Sequence, residues 1–186
     1  MPENQNENKI KKAKKHKIKK KPLGRKFQAV HRSRELAVQF LCSLDIYPAQ
    51  EFYSSLELFF DDDLTKDDAS EVKSRSRELI MKVWDRKNEL DGILLRIVTG
   101  WTPDRMNSID RTILRLMLLE GFLEKTLPVR SAITEAVRLA DDFGTKNSAR
   151  FINGVMYKIK EFFNIDDNEN ENEIKNENSD SARSEE

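Results

Sequence analysis

Nearly all the large apolar residues of this chain lie between Phe27 and Phe163, and within that span they recur three and four positions apart. That spacing belongs to one face of an α-helix, and no strand-like alternation competes with it. Ala37, Phe40, Leu41 and Leu44 define a first helix from Ser33 onward that stops before Pro48. Phe52, Leu56, Phe59 and Phe60 define a shorter one, closed by Asp61-Asp62-Asp63, and Ser70 is a candidate N-cap for the next. From Val72 through Leu79, Ile80, Val83, Trp84, Leu90, Ile93 and Leu94 to Ile97 the period runs on without proline. One long helix is expected there, although Gly92 costs about 1 kcal/mol against alanine.

Thr102-Pro103 has the form of an N-cap followed by proline at the first helical position, so a short helix is expected from there. Ile109, Ile113, Leu116, Met117 and Phe122 form the next apolar face, ended by Leu127-Pro128. Ile133, Ala136, Val137, Ala140 and Phe143 form another, with Gly144 at the position after the helix where left-handed backbone favours glycine. Ser148 is placed to cap a last helix carrying Ile152, Val155, Met156, Ile159 and Phe163, in which Gly154 implies a close neighbour. The expected fold is all-α: about seven helices in two packed subdomains, the first three against the last four across the long helix or its loop at Gly100.

Charge divides the chain differently. In residues 1–26 ten Lys and one Arg oppose two Glu, a net +9, and in residues 164–186 nine acids oppose Lys175 and Arg183, a net −7. The overall charge of zero leaves −2 for residues 27–163. Neither end holds enough apolar surface to offset a backbone ordering cost of about 1–2 kcal/mol per residue, so a disordered basic arm and a disordered acidic tail are expected around one folded domain. The arm lacks the apolar stretch of a secretory signal, and no segment reaches the length of a membrane span, so a cytoplasmic protein is expected. Cys42 is the single cysteine and sits in a helical pattern, which excludes an intrachain disulfide and fits a small buried hydrophobe.

Catalysis needs clustered groups of matched pKa. Both histidines, His16 and His31, fall in or beside the basic arm, which leaves none expected in the folded middle. There is no Gly-rich phosphate loop, no activated serine or cysteine motif and no Cys or His pair at ligand spacing. Asp141-Asp142 and Asp61-Asp62-Asp63 are more simply solvated helix ends than cation sites. Neither an enzyme nor a metal or cofactor protein is expected. A binding role has better support, because the lysine arm leads into Arg32, Arg34 and Gln39 on the polar side of the first helix. Polycations collect phosphate, whereas reading unpaired bases needs stacking groups and side chains that bond base edges. Arg32, Arg34 and Arg150 can fork onto phosphate or stack, and Gln39 and Asn147 can bond bases. Against this, Arg34 can equally pair with Glu35 or Asp45, and Asn147 and Ser148 can be helix caps.

Two blocks carry more than helical periodicity explains. One is Arg32-Ser33-Arg34-Glu35-Leu36-Ala37-Val38-Gln39. The other comprises Ile109-Asp110-Arg111-Thr112-Ile113-Leu114-Arg115-Leu116, Glu120, Glu135-Ala136-Val137-Arg138-Leu139-Ala140, Phe143-Gly144, Ser148 and Phe151-Ile152-Asn153-Gly154-Val155. In order and spacing they resemble the NusB transcription antitermination and termination factor family, from about Phe27 to Phe163 and without the tails. The resemblance implies an all-helical fold of two subdomains and a non-catalytic adaptor. It would bind boxA-type single-stranded RNA of ribosomal leaders with a NusE-type small-subunit ribosomal protein. With other Nus factors it would act on the RNA polymerase elongation complex to suppress termination.

Carried over by position, the resemblance marks Arg32, Arg34, Gln39, Lys146, Asn147, Ser148, Arg150 and Phe151 for RNA. It marks Asp110 and Glu120 for the ribosomal-protein partner. The chain departs from the family pattern at Cys42, where tyrosine is common, and at His31, where arginine is usual. A related domain occurs fused to ribosomal RNA cytosine methyltransferases. That alternative would require a catalytic half, for which the residues after Phe163 carry neither a cofactor loop nor a catalytic cysteine.

Overall fold

The computed structural model describes residues 24–46, 51–63, 65–98 and 105–165. Among them are seven α-helices: α1 (Arg25–Ile46), α2 (Phe52–Asp61), α3 (Ser70–Asp85), α4 (Lys87–Ile97), α5 (Ser108–Leu118), α6 (Val129–Phe143) and α7 (Ser148–Phe162). A π-helical turn, Leu119–Leu123, extends α5. No helix among the described residues is long and apolar enough to cross a membrane. Residues 1–23 of the basic arm, residues 166–186 of the acidic tail, Gly100 and the Thr102-Pro103 helix start lie outside the described residues.

The expected apolar faces are the ones buried. Ala37, Phe40, Leu41 and Leu44 lie in the core with Leu36 and Val38, so α1 is covered on almost every side. It begins at Arg25, two turns ahead of the expected start, with the Gln28 amide donating to the Gly24 carbonyl. α5 is the other central helix. Ile113, Leu114, Leu116, Met117 and Leu118 are fully buried, and α1, α3, α4, α6 and α7 all pack on it. A helix covered all round must satisfy its charges internally. Arg115 accordingly forks onto Asp91 of α4 with two bonds of 2.7 Å, and Arg111 and Ser108 both reach Asp45 of α1.

Several local expectations are corrected. The single long helix is two, broken at Arg86 (φ −100, ψ 11) rather than at Gly92, which lies inside α4. The break lets each half bury its own stripe: α3 packs on α1, whereas Leu90, Leu94 and Ile97 of α4 face α5 and α7. The two helical groups therefore divide at Arg86, although one apolar core runs through both. The helix expected to reach Phe122 turns π-helical after Leu118, and the Glu124 amide bonds the Leu119 carbonyl. Gly121 lets α6 approach this turn closely, because a Cβ there would sit 2.6 Å from the Cβ of Ala132 on α6. Ser70 is the first residue of α3 and not its cap.

Candidate nucleic-acid interface

A buried ion network supports the end of the molecule that carries the expected RNA residues. Arg34 of α1 is 2% exposed. Its Nε and Nη2 donate to the two carboxylate oxygens of Glu120 at 2.7 and 3.1 Å, and its Nη1 donates to Glu135 of α6 at 3.1 Å. Arg75 of α3 adds a 2.8 Å bond to Glu120. This fork ties α1, α3, the π turn and α6 together. Arg34 and Glu120 are thus each other's partners, not the surface contacts with RNA and a ribosomal protein expected of them, and neither Glu35 nor Asp45 pairs with Arg34. Charges 86 positions apart in sequence are paired because each needs the other once desolvated.

His31 corrects another expectation: a histidine does lie in the folded domain, 5% exposed, with Nδ1 2.7 Å from Glu135 Oε1. Burial works to lower its pKa, but the carboxylates of Glu135 and Glu35 outweigh it and hold the imidazole at about 9. The Glu135 carboxyl is drawn upward by burial and then, more strongly, downward by His31 and Arg34. Next to His31 in sequence, Arg32 forks onto Asp68 with two 3.0 Å bonds and reaches Glu35 at 3.1 Å, leaving about a third of its side chain exposed. Gln39, two turns further along α1, is exposed.

Between α6 and α7 the chain turns through residues 144–147. Gly144 is extended (φ −84, ψ −173), not left-handed as expected. Glycine is required there for space: a Cβ would lie 2.4 Å from the Cβ of Ser148 and 2.6 Å from the Ala140 carbonyl oxygen. Ser148 is 1% exposed, and its hydroxyl accepts from the Thr145 amide at 2.9 Å, so it braces the turn from inside instead of meeting RNA. Asn147 stands at the N-cap position of α7, yet its side chain makes no capping bond, and Lys146 and Asn147 are both exposed. The amide is free of the capping role that would otherwise account for it.

Asn147, exposed Arg150 and half-buried Phe151 line one open groove of about 450 Å³ with Val98, Gly154, Val155 and Lys158. The expectation for Gly154 is also corrected: among the described residues no atom lies within 4 Å of a Cβ built there, so no described helix packs against it. It forms part of the groove wall. Two cations, an aromatic face and an amide along one groove are the groups that phosphate, a base face and a base edge require. Lys158 escaped the sequence reading because it follows Phe151 by two helical turns, in a stretch that reads as ordinary amphipathic helix.

Asp110, the expected partner residue, is 8% exposed at the start of α5 and hydrogen-bonds Ser148. Its Oδ1 has no hydrogen-bond partner among the described residues, and burial raises its pKa, opposed by the Ser148 bond. A carboxyl whose folded pKa exceeds its unfolded value stabilises the fold most at acid pH. That contribution is lost as pH rises from the unfolded value, about 3.9, to the folded one. Asp110→Asn is therefore expected to be more stable than the parent at neutral pH and equal to it below about pH 4. Denaturant midpoints across pH check this, and a variant no more stable at neutral pH would contradict it.

Residues 31–161 match the NusB family profile. The chain is 35% identical over 133 residues to the transcription antitermination protein NusB of Desulforudis audaxviator, covering 70% of this chain and 91% of that protein. Against the protein of the same name from Carboxydothermus hydrogenoformans it is 34% identical over 133 residues, covering 70% and 92%. Its fold is similar to that of the solved structure of T. maritima NusB, with a TM-score of 0.63 and 26% identity over 70% of this chain and 89% of that one. A structure of the antitermination factors NusB and NusE in complex with dsRNA shares the fold at 17% identity, with a TM-score of 0.63 over 72% of this chain and 97% of that one. With matching sequence blocks, helix order and coverage, this chain belongs to the NusB family.

Proposed function

We propose that this chain is an RNA-binding transcription antitermination factor of the cytoplasm, without catalytic activity. It binds boxA-type single-stranded elements of nascent ribosomal RNA together with a NusE-type small-subunit ribosomal protein. With other Nus factors it keeps the elongating RNA polymerase from terminating. The observation that carries this reading is the groove along α7, where Asn147, Arg150, Phe151 and Lys158 stand together beside exposed Lys146. Arg150 and Lys158 hold phosphate, Phe151 offers a face to an unpaired base, and the Asn147 amide bonds a base edge. Gly154 keeps the groove wall free of a side chain that would fill it.

Arg32 and Gln39 of α1 continue the RNA surface, with Arg32 exchanging part of its carboxylate fork for phosphate. The first 26 residues, a basic arm of +9, add attraction without sequence preference, and residues 164–186 form a separate acidic tail. Asp110, buried at the start of α5, marks the side toward the ribosomal-protein partner. Glu120 serves the fold. A NusB crystallised with NusE and double-stranded RNA shares this architecture, which supports the pairing of one helical protein with both ligands.

Anisotropy titrations of a boxA-type RNA across salt concentrations test the groove. Arg150→Ala and Lys158→Ala are each expected to weaken binding and to flatten the slope of log affinity against log salt by about 0.7. Phe151→Ala is expected to cost about 1–3 kcal/mol of binding with the slope unchanged. Unaltered affinity and slope in all three variants would remove the groove from the RNA site.

A further inference from the structure

The first turns of α1 and the last turn of α6 meet in a cluster that RNA binding does not use. His31 Nε2 lies 3.4 Å from Glu35 Oε1 and 3.5 Å from Asp142 Oδ2, and the three ligand atoms all fall within 4.8 Å of one another. We propose that His31, Glu35 and Asp142 bind a divalent transition-metal ion of the zinc class.

Three observations support a metal rather than a simple ion pair. The first is spacing. Ligand atoms held about 2.1 Å from a tetrahedral ion lie roughly 3.4 Å apart, the separation found for both pairs that include the imidazole. The second is the ring's orientation. Glu135 is an ionised acceptor that already takes an Arg34 bond, so the Nδ1 proton points to it, and Nε2, whose own proton the ion would displace, is directed into the cluster. A carboxylate behind a histidine is the arrangement that fixes tautomer and basicity in metal-ligating imidazoles. The third is division of labour on Glu35: Oε2 accepts from Arg32 at 3.1 Å, which leaves Oε1 for the ion.

The His31 side chain is 7% exposed and that of Asp142 37%, so the inner ligand is fixed while the outer side is open to an entering ion and a water as fourth ligand. Arg138 is the opposing charge, acting on the imidazole from the α6 side. One imidazole nitrogen with two carboxylate oxygens suits zinc, and cobalt can replace it as a probe. The ion would fasten α1 to α6 a few residues before Lys146 and Asn147. Spacing in sequence could not reveal such a site, because Asp142 is 111 positions from His31 and neighbours no other ligand type.

The test uses the full chain, titrated with zinc by calorimetry and with cobalt by visible absorption, and melted with and without one equivalent of zinc. The parent is expected to bind one equivalent, to show tetrahedral cobalt bands and to melt higher with zinc. Asp142→Asn changes a partly exposed side chain, and His31→Arg keeps a cation opposite Glu135, so both variants should fold. Each is expected to weaken binding by at least about tenfold and to lose the cobalt bands and the zinc-dependent rise in melting temperature. His16→Ala should retain all three. Absence of saturable binding, full binding by Asp142→Asn and His31→Arg, or loss with His16→Ala would overturn the proposal.

Discussion

Arg34→Ala is expected to destabilise the domain by about 3–5 kcal/mol, because it leaves Glu120 and Glu135 buried with much of their positive charge removed. Glu120 is 1% exposed and would keep only Arg75, and Glu135 would keep only His31 among its bonded partners. Arg34→Lys should restore little, since an ammonium cannot form the two-bond fork and reach Glu135 as well. Denaturant unfolding measures both variants. A loss below about 1 kcal/mol for Arg34→Ala would show that the network behaves like an exposed pair. Under conditions where the variant remains folded, its RNA affinity should match the parent's, because the guanidinium is enclosed by protein. This separates Arg34 from Arg150, whose removal should spare stability and reduce binding.

Phe40→Ala is expected to cost a similar amount, about 3–5 kcal/mol, for a different reason. The ring is 2% exposed and packs edge-on to Phe52 at 5.8 Å between centroids and against Phe59 at 5.3 Å. Its loss opens a cavity between α1 and α2 that α1, held in place by the Arg34 fork, cannot move to close. Phe151→Ala supplies the comparison. That ring is only half-buried on the groove, so its truncation should lower stability much less while weakening RNA binding. Equal losses of stability for the two would contradict the placement of Phe151 at the surface.

These contrasts also show what could be seen without coordinates. Helical faces were legible because period reports burial directly, and Phe40, Leu41, Ile113 and Met117 are in the core as their spacing requires. Breaks within a helix were less so: Arg86 is neither glycine nor proline, and only the separate packing of α3 and α4 explains the bend. Glycines were noticed for reasons the structure revises. Gly144 relieves a contact with Ser148, and Gly154 borders an open groove. Charged residues were hardest. A sequence cannot distinguish an arginine on the polar side of a helix from one enclosed with a glutamate 86 positions away. Arg34 and Glu120 therefore changed role while Asn147 and Arg150 kept theirs as candidates.

The two charged helices at the centre of this fold, α1 and α5, underlie the proposed RNA surface. α1 presents Arg32 and Gln39 outward while Arg34 anchors it inward, and α5 places Asp110 against Ser148 at the base of the turn that carries Lys146 and Asn147. A partner bound at Asp110 would thus sit one hydrogen bond from the turn proposed to meet RNA. The most direct test is binding of a boxA-type RNA and a scrambled RNA of equal composition by the full chain, with and without a NusE-type protein, at two salt concentrations. The account predicts preference for the boxA-type sequence, strengthened by the partner and retained at the higher salt. Equal binding of both RNAs that disappears together with rising salt, and is unaffected by the partner, would contradict it.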